Sequence, residues 1–266
     1  MNMPPNPFKA ALRKNAPLYG IWSGFATAYA AEIVASTGYD WMLIDGEHAP
    51  NTVPSVLSQL QAVAAYDTSP IVRAVSGDAN LIKQLLDVGA QTLMIPMVET
   101  AEQAQALVRA MRYPPHGTRG VGGGLTRATR WDGVTDYLAT AHEQLCLIVQ
   151  VESRLGVENV EAIASVEGVD AVFIGPADLS IGLGHAGNPA HPEVQSRIQH
   201  AVNATRAAGK ACGILAPNED DARRYHAWGC QFIAVAIDIC LLRQSAMSTL
   251  AHYKSDAQPC APSRTY

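Results

Sequence analysis

The chain is poor in lysine, in paired cysteines and in long apolar runs, and each shortage excludes something. Its five lysines stand at positions 9, 14, 83, 210 and 254. None closes an apolar strand-like run: Lys83 falls in a helical pattern and Lys210 precedes a strand. A Schiff-base enzyme needs a desolvated amine at its site, so a class I aldolase is excluded on placement. Five cysteines, at 146, 212, 230, 240 and 260, show no C-x-x-C spacing. An odd count without metal spacing points to reduced thiols and a cytoplasmic protein. No run approaches the ~20 apolar residues that span a bilayer. The first 14 residues lack the apolar segment of a signal peptide. A net charge of −5 and a pI near 5.9 argue against nucleic acid or an anionic membrane as partner. There is no glycine-rich turn after the first strand beyond Gly24-Phe25-Ala26, which weakens the case for a doubly wound dinucleotide fold.

What the chain does have is a regular beat. Of its 266 residues, 48% are hydrophobic, enough for a full core. Strands are expected at 18–24, 41–45, 70–75, 92–98, 145–151, 171–175, 211–215 and 232–237. Helical patterns lie between them, at 28–37, 53–65, 80–88, 100–111, 192–208, 220–228 and 241–253. Gly89, Gly209 and Gly229 stand where helix ends need them. Eight strand–helix repeats with buried strands predict a single-domain (β/α)8 TIM barrel over residues 1–254. An open doubly wound sheet is the alternative. Residues 255–266 read as a disordered tail. Two longer loops break the beat, at 113–136 and 180–191, and loops of that length are usually functional or mobile.

In such a barrel the chemistry gathers at the C-terminal ends of the strands. The second strand delivers Asp45-Gly46-Glu47-His48, the third Arg73, the fifth Gln150-Val151-Glu152, and the sixth Gly175-Pro176-Ala177-Asp178. Charges at so many strand ends are hard to explain as packing, because burying them unpaired is expensive. Glu152 and Asp178 follow adjacent strands, whose spacing of about 4.8 Å lets two carboxylates share one cation. An oxygen donor set without cysteine selects a hard ion such as Mg²⁺ or Mn²⁺. Gly175 allows close approach to the backbone, and the amides of Ala177 and Asp178 can hold an anion. His48 is suited to acid–base work, and Arg73 to a developing negative charge. The same residues admit plainer readings: an Asp-capped turn after the sixth strand, a structural histidine, and a salt bridge from Glu152 to Arg154 or Arg73.

The motifs Leu43-Ile44-Asp45-Gly46-Glu47-His48, Val72-Arg73, Pro96-Met97-Val98, Arg112-Tyr113-Pro114-Pro115, Arg119-Gly120-Val121-Gly122, Gln150-Val151-Glu152 and Ile174-Gly175-Pro176-Ala177-Asp178-Leu179-Ser180 closely resemble the HpcH/HpaI family of metal-dependent, class II pyruvate aldolases. The resemblance spans about Phe8 to Tyr253. It implies that Glu152 and Asp178 hold a divalent cation (Mg²⁺, Mn²⁺ or Co²⁺). It also implies that Gln150, Gly175, Pro176, Ala177 and Asp178, with Trp22 and Leu215, bind the pyruvyl half of the substrate. By the same resemblance, His48 is the base, Arg73 stabilises charge, Asp45 lies near the aldehyde, and Asp87 assists His48. Asp87 ends a helix, so it would have to come from a neighbouring subunit. The family's hexamer with swapped C-terminal helices would supply it. The substrate implied is a 2-oxo acid that splits into pyruvate and an aldehyde. The nearest match is cleavage of 4-hydroxy-2-oxoheptanedioate to pyruvate and succinate semialdehyde, a step of aromatic catabolism. A 2-dehydro-3-deoxy sugar acid is the alternative substrate. A malyl-CoA-type lyase and a non-catalytic 2-oxo-acid-binding barrel are more distant rivals. Arg119, Arg127 and Arg130, in the first long loop, are candidates to read a second carboxylate.

Overall fold

In the computed structural model, which describes residues 1–14 and 16–254, eight parallel strands close a barrel in chain order. The first half runs α1 Pro7–Leu12, β1 Leu18–Ser23, α2 Ala28–Ala35, β2 Trp41–Asp45, α3 Val53–Ala62, β3 Ser69–Arg73, α4 Ala79–Asp87, β4 Thr92–Ile95 and α5 Ala101–Met111. The second half runs α6 Tyr137–Gln144, β5 Cys146–Val151, α7 Arg154–Glu158, α8 Val160–Ala164, β6 Ala171–Ile174, α9 Pro176–Gly182, α10 Pro192–Ala207, β7 Ala211–Leu215, α11 Glu219–Trp228, β8 Phe232–Ile237 and α12 Asp238–Ala251. The barrel expectation therefore holds, and the open sheet is excluded by the pairing of β1 with β8. Sequence periodicity missed α1, α6, α7 and α8. All are of eight residues or fewer, too short to show a helical repeat. The expected disordered tail, 255–266, lies outside the described residues.

Alternation along the strands sorts the core into two shells. Leu18, Trp22, Trp41, Leu43, Ile71, Met94, Cys146, Ile148, Phe173 and Phe232 fill the barrel interior. Met42, Ile44, Val72, Leu93, Leu147, Val149 and Ile174 face the helices. Gly20 and Gly213 keep the interior open for aromatic rings. A β-carbon on Gly20 would collide with the Trp41 indole, and one on Gly213 with the Phe232 ring. Phe8, from α1, closes the bottom by edge-on contact with Phe232 (5.5 Å) and Trp41 (6.2 Å). Truncating one of these buried aromatics to alanine would cost about 3–5 kcal/mol.

The same two-residue period decides what the top of the barrel receives. Trp41 and Leu43 point inward, so Asp45 does too. Ile71 points inward, so Arg73 follows. Cys146 and Ile148 are succeeded by Gln150 and then Glu152. Register places Asp45 beside Arg73 on β2 and β3, and Val151 beside Ile174 on β5 and β6, so Glu152 comes out opposite Gly175.

The long segment 113–136 is on the other side. It follows α5, which has already carried the chain back to the N-terminal end of the strands. There the Ala128 amide bonds to the Asp87 carbonyl, Arg127 bonds to the Val88 carbonyl (3.1 Å), and Arg119 pairs with Asp87 (2.7 Å). The expectation that Arg119, Arg127 and Arg130 read the substrate's far end is corrected for the chain's own site. Loops after helices sit at the bottom of a barrel, and only loops after strands sit at the top.

Candidate active site

Asp45 organises the top of the barrel. Its carboxylate takes two hydrogen bonds from Arg73, at 2.9 Å from Nε and 2.7 Å from Nη2. It also accepts the Trp22 indole N–H at 3.1 Å and the backbone N–H groups of Glu47 and His48 at 2.9 and 3.3 Å. Burial alone would push its pKa up, but the Arg73 guanidinium and these donors hold it below the usual carboxylate value. Arg73 lies 4.8 Å over the Trp22 ring. Asp45 and Trp22 thus brace Arg73.

The turn after β2 depends on Gly46. Its N–H bonds to the Arg73 carbonyl at 2.9 Å, and a β-carbon there would come within 2.5 Å of that oxygen. This close approach swings Glu47 and His48 over the barrel mouth. Glu47 Oε2 lies 2.7 Å from Arg73 Nη1, an ion-pair contact rather than an aligned hydrogen bond. His48 is the most accessible of these groups, with 66% of its side chain exposed. A base that must meet a substrate needs such access.

Glu152 is buried on the facing side. The Met97 N–H donates to Oε1 at 2.9 Å, and the Gln150 side-chain amide donates to Oε2. Met97 holds a left-handed backbone (φ 53°), a sparsely populated conformation for a side chain of this size, which aims its amide at the carboxylate. Burial raises the Glu152 pKa to about 7. The Met97 amide opposes this, and the Asp178 and Glu47 carboxylates reinforce it. Among the described residues Glu152 makes no ion pair with Arg154 or Arg73, so the plainer reading of Glu152 falls away. Gly175 leaves the room Glu152 needs: a β-carbon there would strike Glu152 Oε2 and stand 3.3 Å from Gln150 Nε2. Asp178 sits in the first turn of α9, exposed at the barrel mouth. The first amide of α9 to bond back is Leu179, to the Gly175 carbonyl at 3.1 Å. The amides of Ala177 and Asp178 therefore have no helical partner. Pro176, at the first helical position, fits a slot that needs no N–H. Leu215 ends β7 on the inner wall.

These residues fit a hard divalent cation. The Asp178 carboxylate is close enough to Glu152 to raise the proton affinity of Glu152, the Gln150 Oε1 atom is buried without a hydrogen-bond partner, and the donors are oxygens. A separate group, His185, His191 and Glu193, brings three possible ligand atoms within 4.8 Å of one another at the start of α10. It lies on the loop after α9. Asp87 is at the bottom of its own barrel, bound to Arg119, and the chain does not bring it to His48. Glu47 and the Met97 amide belong to the site, although the sequence reading gave them no role. Glu47 adjoins His48 in the sequence, which was a usable signal. No sequence feature marks the strained Met97 conformation.

A carbonyl polarised by a cation, an accessible base at the rim and a buried guanidinium beside it are the requirements of enolate chemistry, and they define a class II aldolase. Comparison with known proteins agrees. The chain belongs to the HpcH/HpaI aldolase/citrate lyase family, whose model matches residues 18–245. It is 71% identical over 269 residues to a hydroxypyruvate/pyruvate aldolase of Delftia acidovorans, covering 100% of both chains. It is 52% identical over 261 residues to a 2-keto-3-deoxy-L-rhamnonate aldolase of Salmonella paratyphi B, covering 98% of each. A solved HpcH/HpaI family protein from Burkholderia cenocepacia superposes with a TM-score of 0.90 at 42% identity, over 94% of this chain and 99% of that one. The narrower expectation of 4-hydroxy-2-oxoheptanedioate cleavage gains no support from these names, which favour the sugar-acid alternative. Among the described residues no helix is long and apolar enough to cross a membrane.

Proposed function

We propose that the protein reversibly joins pyruvate or hydroxypyruvate to hydroxyaldehydes, and so cleaves 2-keto-3-deoxy sugar acids and related 4-hydroxy-2-oxo acids. The observation that carries this reading is the convergence of Glu152, Asp178, Gln150, Arg73 and His48 at one end of the barrel. The names of the relatives support the sugar-acid substrate.

Glu152 and Asp178 would hold the ion, Mg²⁺, Mn²⁺ or Co²⁺. When bound, it supplies Lewis acidity toward the 2-oxo group. The amides of Ala177 and Asp178 and the Gln150 side chain bind and orient the substrate carboxylate, with Pro176, Trp22 and Leu215 as walls. His48 takes the proton from the C4 hydroxyl. The C3–C4 bond then breaks, its electrons pass into the pyruvyl fragment as an enolate, and the aldehyde leaves. Arg73, locked by Asp45, stabilises the negative charge without having to reorganise.

The chain is proposed to act in the cytoplasm as a homo-oligomer, a hexamer with exchanged C-terminal helices. Along α12 only Asp238 is buried, and Leu241, Leu242 and Leu250 are exposed. Such an assembly would bring a neighbour's Asp87 to His48.

A lactate-dehydrogenase-coupled assay of pyruvate release tests the reading. Release from a 2-keto-3-deoxy sugar acid should exceed that from 4-hydroxy-2-oxoheptanedioate, stop with a chelator and return with Mg²⁺. Equal rates with and without the chelator would overturn it.

A further inference from the structure

Glu47 is the one carboxylate of the site that the proposed mechanism leaves unemployed. Its Oε2 atom lies between two working groups, 2.7 Å from Arg73 Nη1 and 3.8 Å from His48 Nε2. Arg73 does not need it for charge balance. Asp45 already binds the guanidinium through two donors and neutralises it. The negative charge of Glu47 is therefore surplus to the Arg73 pair. The charged groups that act on Glu47 are Arg73, His48, Asp45 and Asp178, and Glu47 in turn acts on Glu152. Of these, only His48 can gain a positive charge during the reaction. The 3.8 Å separation is an ion-pair distance. The Gly46 turn fixes the arrangement, because its contact with the Arg73 carbonyl sets the direction in which both side chains leave the strand.

We infer that Glu47 is the counter-ion of protonated His48 and, by the same oxygen, a positioning residue for Arg73, so that proton acceptance at His48 and charge stabilisation at Arg73 are coupled within one chain. As His48 takes the proton of the substrate hydroxyl, the imidazolium forms beside a carboxylate already in place. No reorganisation is needed at that moment. The inference rests on the reading of His48 as base, and it assigns to Glu47 a role that the family resemblance gives to Asp87.

The test uses the full-length protein with Mg²⁺ and the variants Glu47→Gln and Asp87→Asn. In Glu47→Gln an imidazolium without its counter-ion forms less readily. The acid-side midpoint of the kcat/KM profile should then move down by about half to one pH unit, the scale of one charge about 4 Å away in a wet site. Above that midpoint kcat should fall at least tenfold while KM changes little. The midpoint of the His48 ring resonances, followed by NMR without substrate, should move in the same direction. That arm reads the pairing even if the aldolase reading fails. A fall in kcat with both midpoints unmoved would assign Glu47 to Arg73 alone and overturn the coupling. Midpoints that move in Asp87→Asn but not in Glu47→Gln would overturn it in favour of Asp87.

Discussion

Replacing Glu152 by glutamine should make the metal-free protein more stable while destroying its activity. Burial, with the Asp178 and Glu47 carboxylates, raises the Glu152 pKa from an ordinary value of 4.5 to about 7. The fold therefore prefers the protonated acid. The stability this confers is complete below about pH 4.5 and is lost as pH rises through 7. At 1.36 kcal/mol per pH unit, the gap comes to about 3 kcal/mol at pH 8. Glutamine carries no charge to desolvate, and its oxygen can still accept the Met97 N–H, so Glu152→Gln should recover most of that amount. For a chain of this size, about 3 kcal/mol corresponds to a Tm rise on the order of 5 °C or more. The assay is thermal or urea unfolding of both proteins from pH 5 to pH 8, with a chelator and then with Mg²⁺. With the chelator, the difference between the two should be small near pH 5, grow steadily through pH 6 and reach nearly its full size just above pH 7. With Mg²⁺, the wild type should regain stability and the variant should not. Wild-type stability that stays flat from pH 5 to 8 in chelator, with Glu152→Gln no more stable, would refute the electrostatic account of the site.

Two further expectations concern catalysis and assembly. His48→Ala should reduce kcat by about 10²–10⁴-fold with an unchanged circular dichroism spectrum. Arg73→Ala should do comparable harm and also lower stability by about 3–5 kcal/mol, because it strands the buried Asp45 carboxylate. Activity within tenfold of wild type in either variant would contradict the assignment. Leu242→Glu should reduce the solution mass measured by light scattering to that of a smaller assembly, since Leu242 is 60% exposed on α12. A wild-type protein that is already monomeric would refute the proposed assembly.

The repeat of buried strand and amphipathic helix was legible in the sequence, because burial on both faces leaves continuous apolar runs that only a parallel sheet accommodates. Given a barrel, position at a strand end was enough to nominate Asp45, His48, Arg73, Glu152 and Asp178, because unpaired charges do not survive in such places by chance. The placement of the five lysines also argued against a Schiff-base aldolase. Tertiary structure decided the rest. Only register could show that Asp45 is spent on Arg73, since the pairing joins residues 28 positions apart. The far-end position of Asp87 and of the Arg119–Arg130 segment followed from their places after expected helices, since a loop after a helix faces the bottom of a barrel, and the structure added the bonds that tie the segment to Asp87 and Val88. And only packing could give Glu152 its raised proton affinity and place Glu47 between Arg73 and His48. Both follow from charges of several strands brought together at the barrel mouth, with Glu152 and Arg73 buried and His48 and Asp178 exposed at the rim.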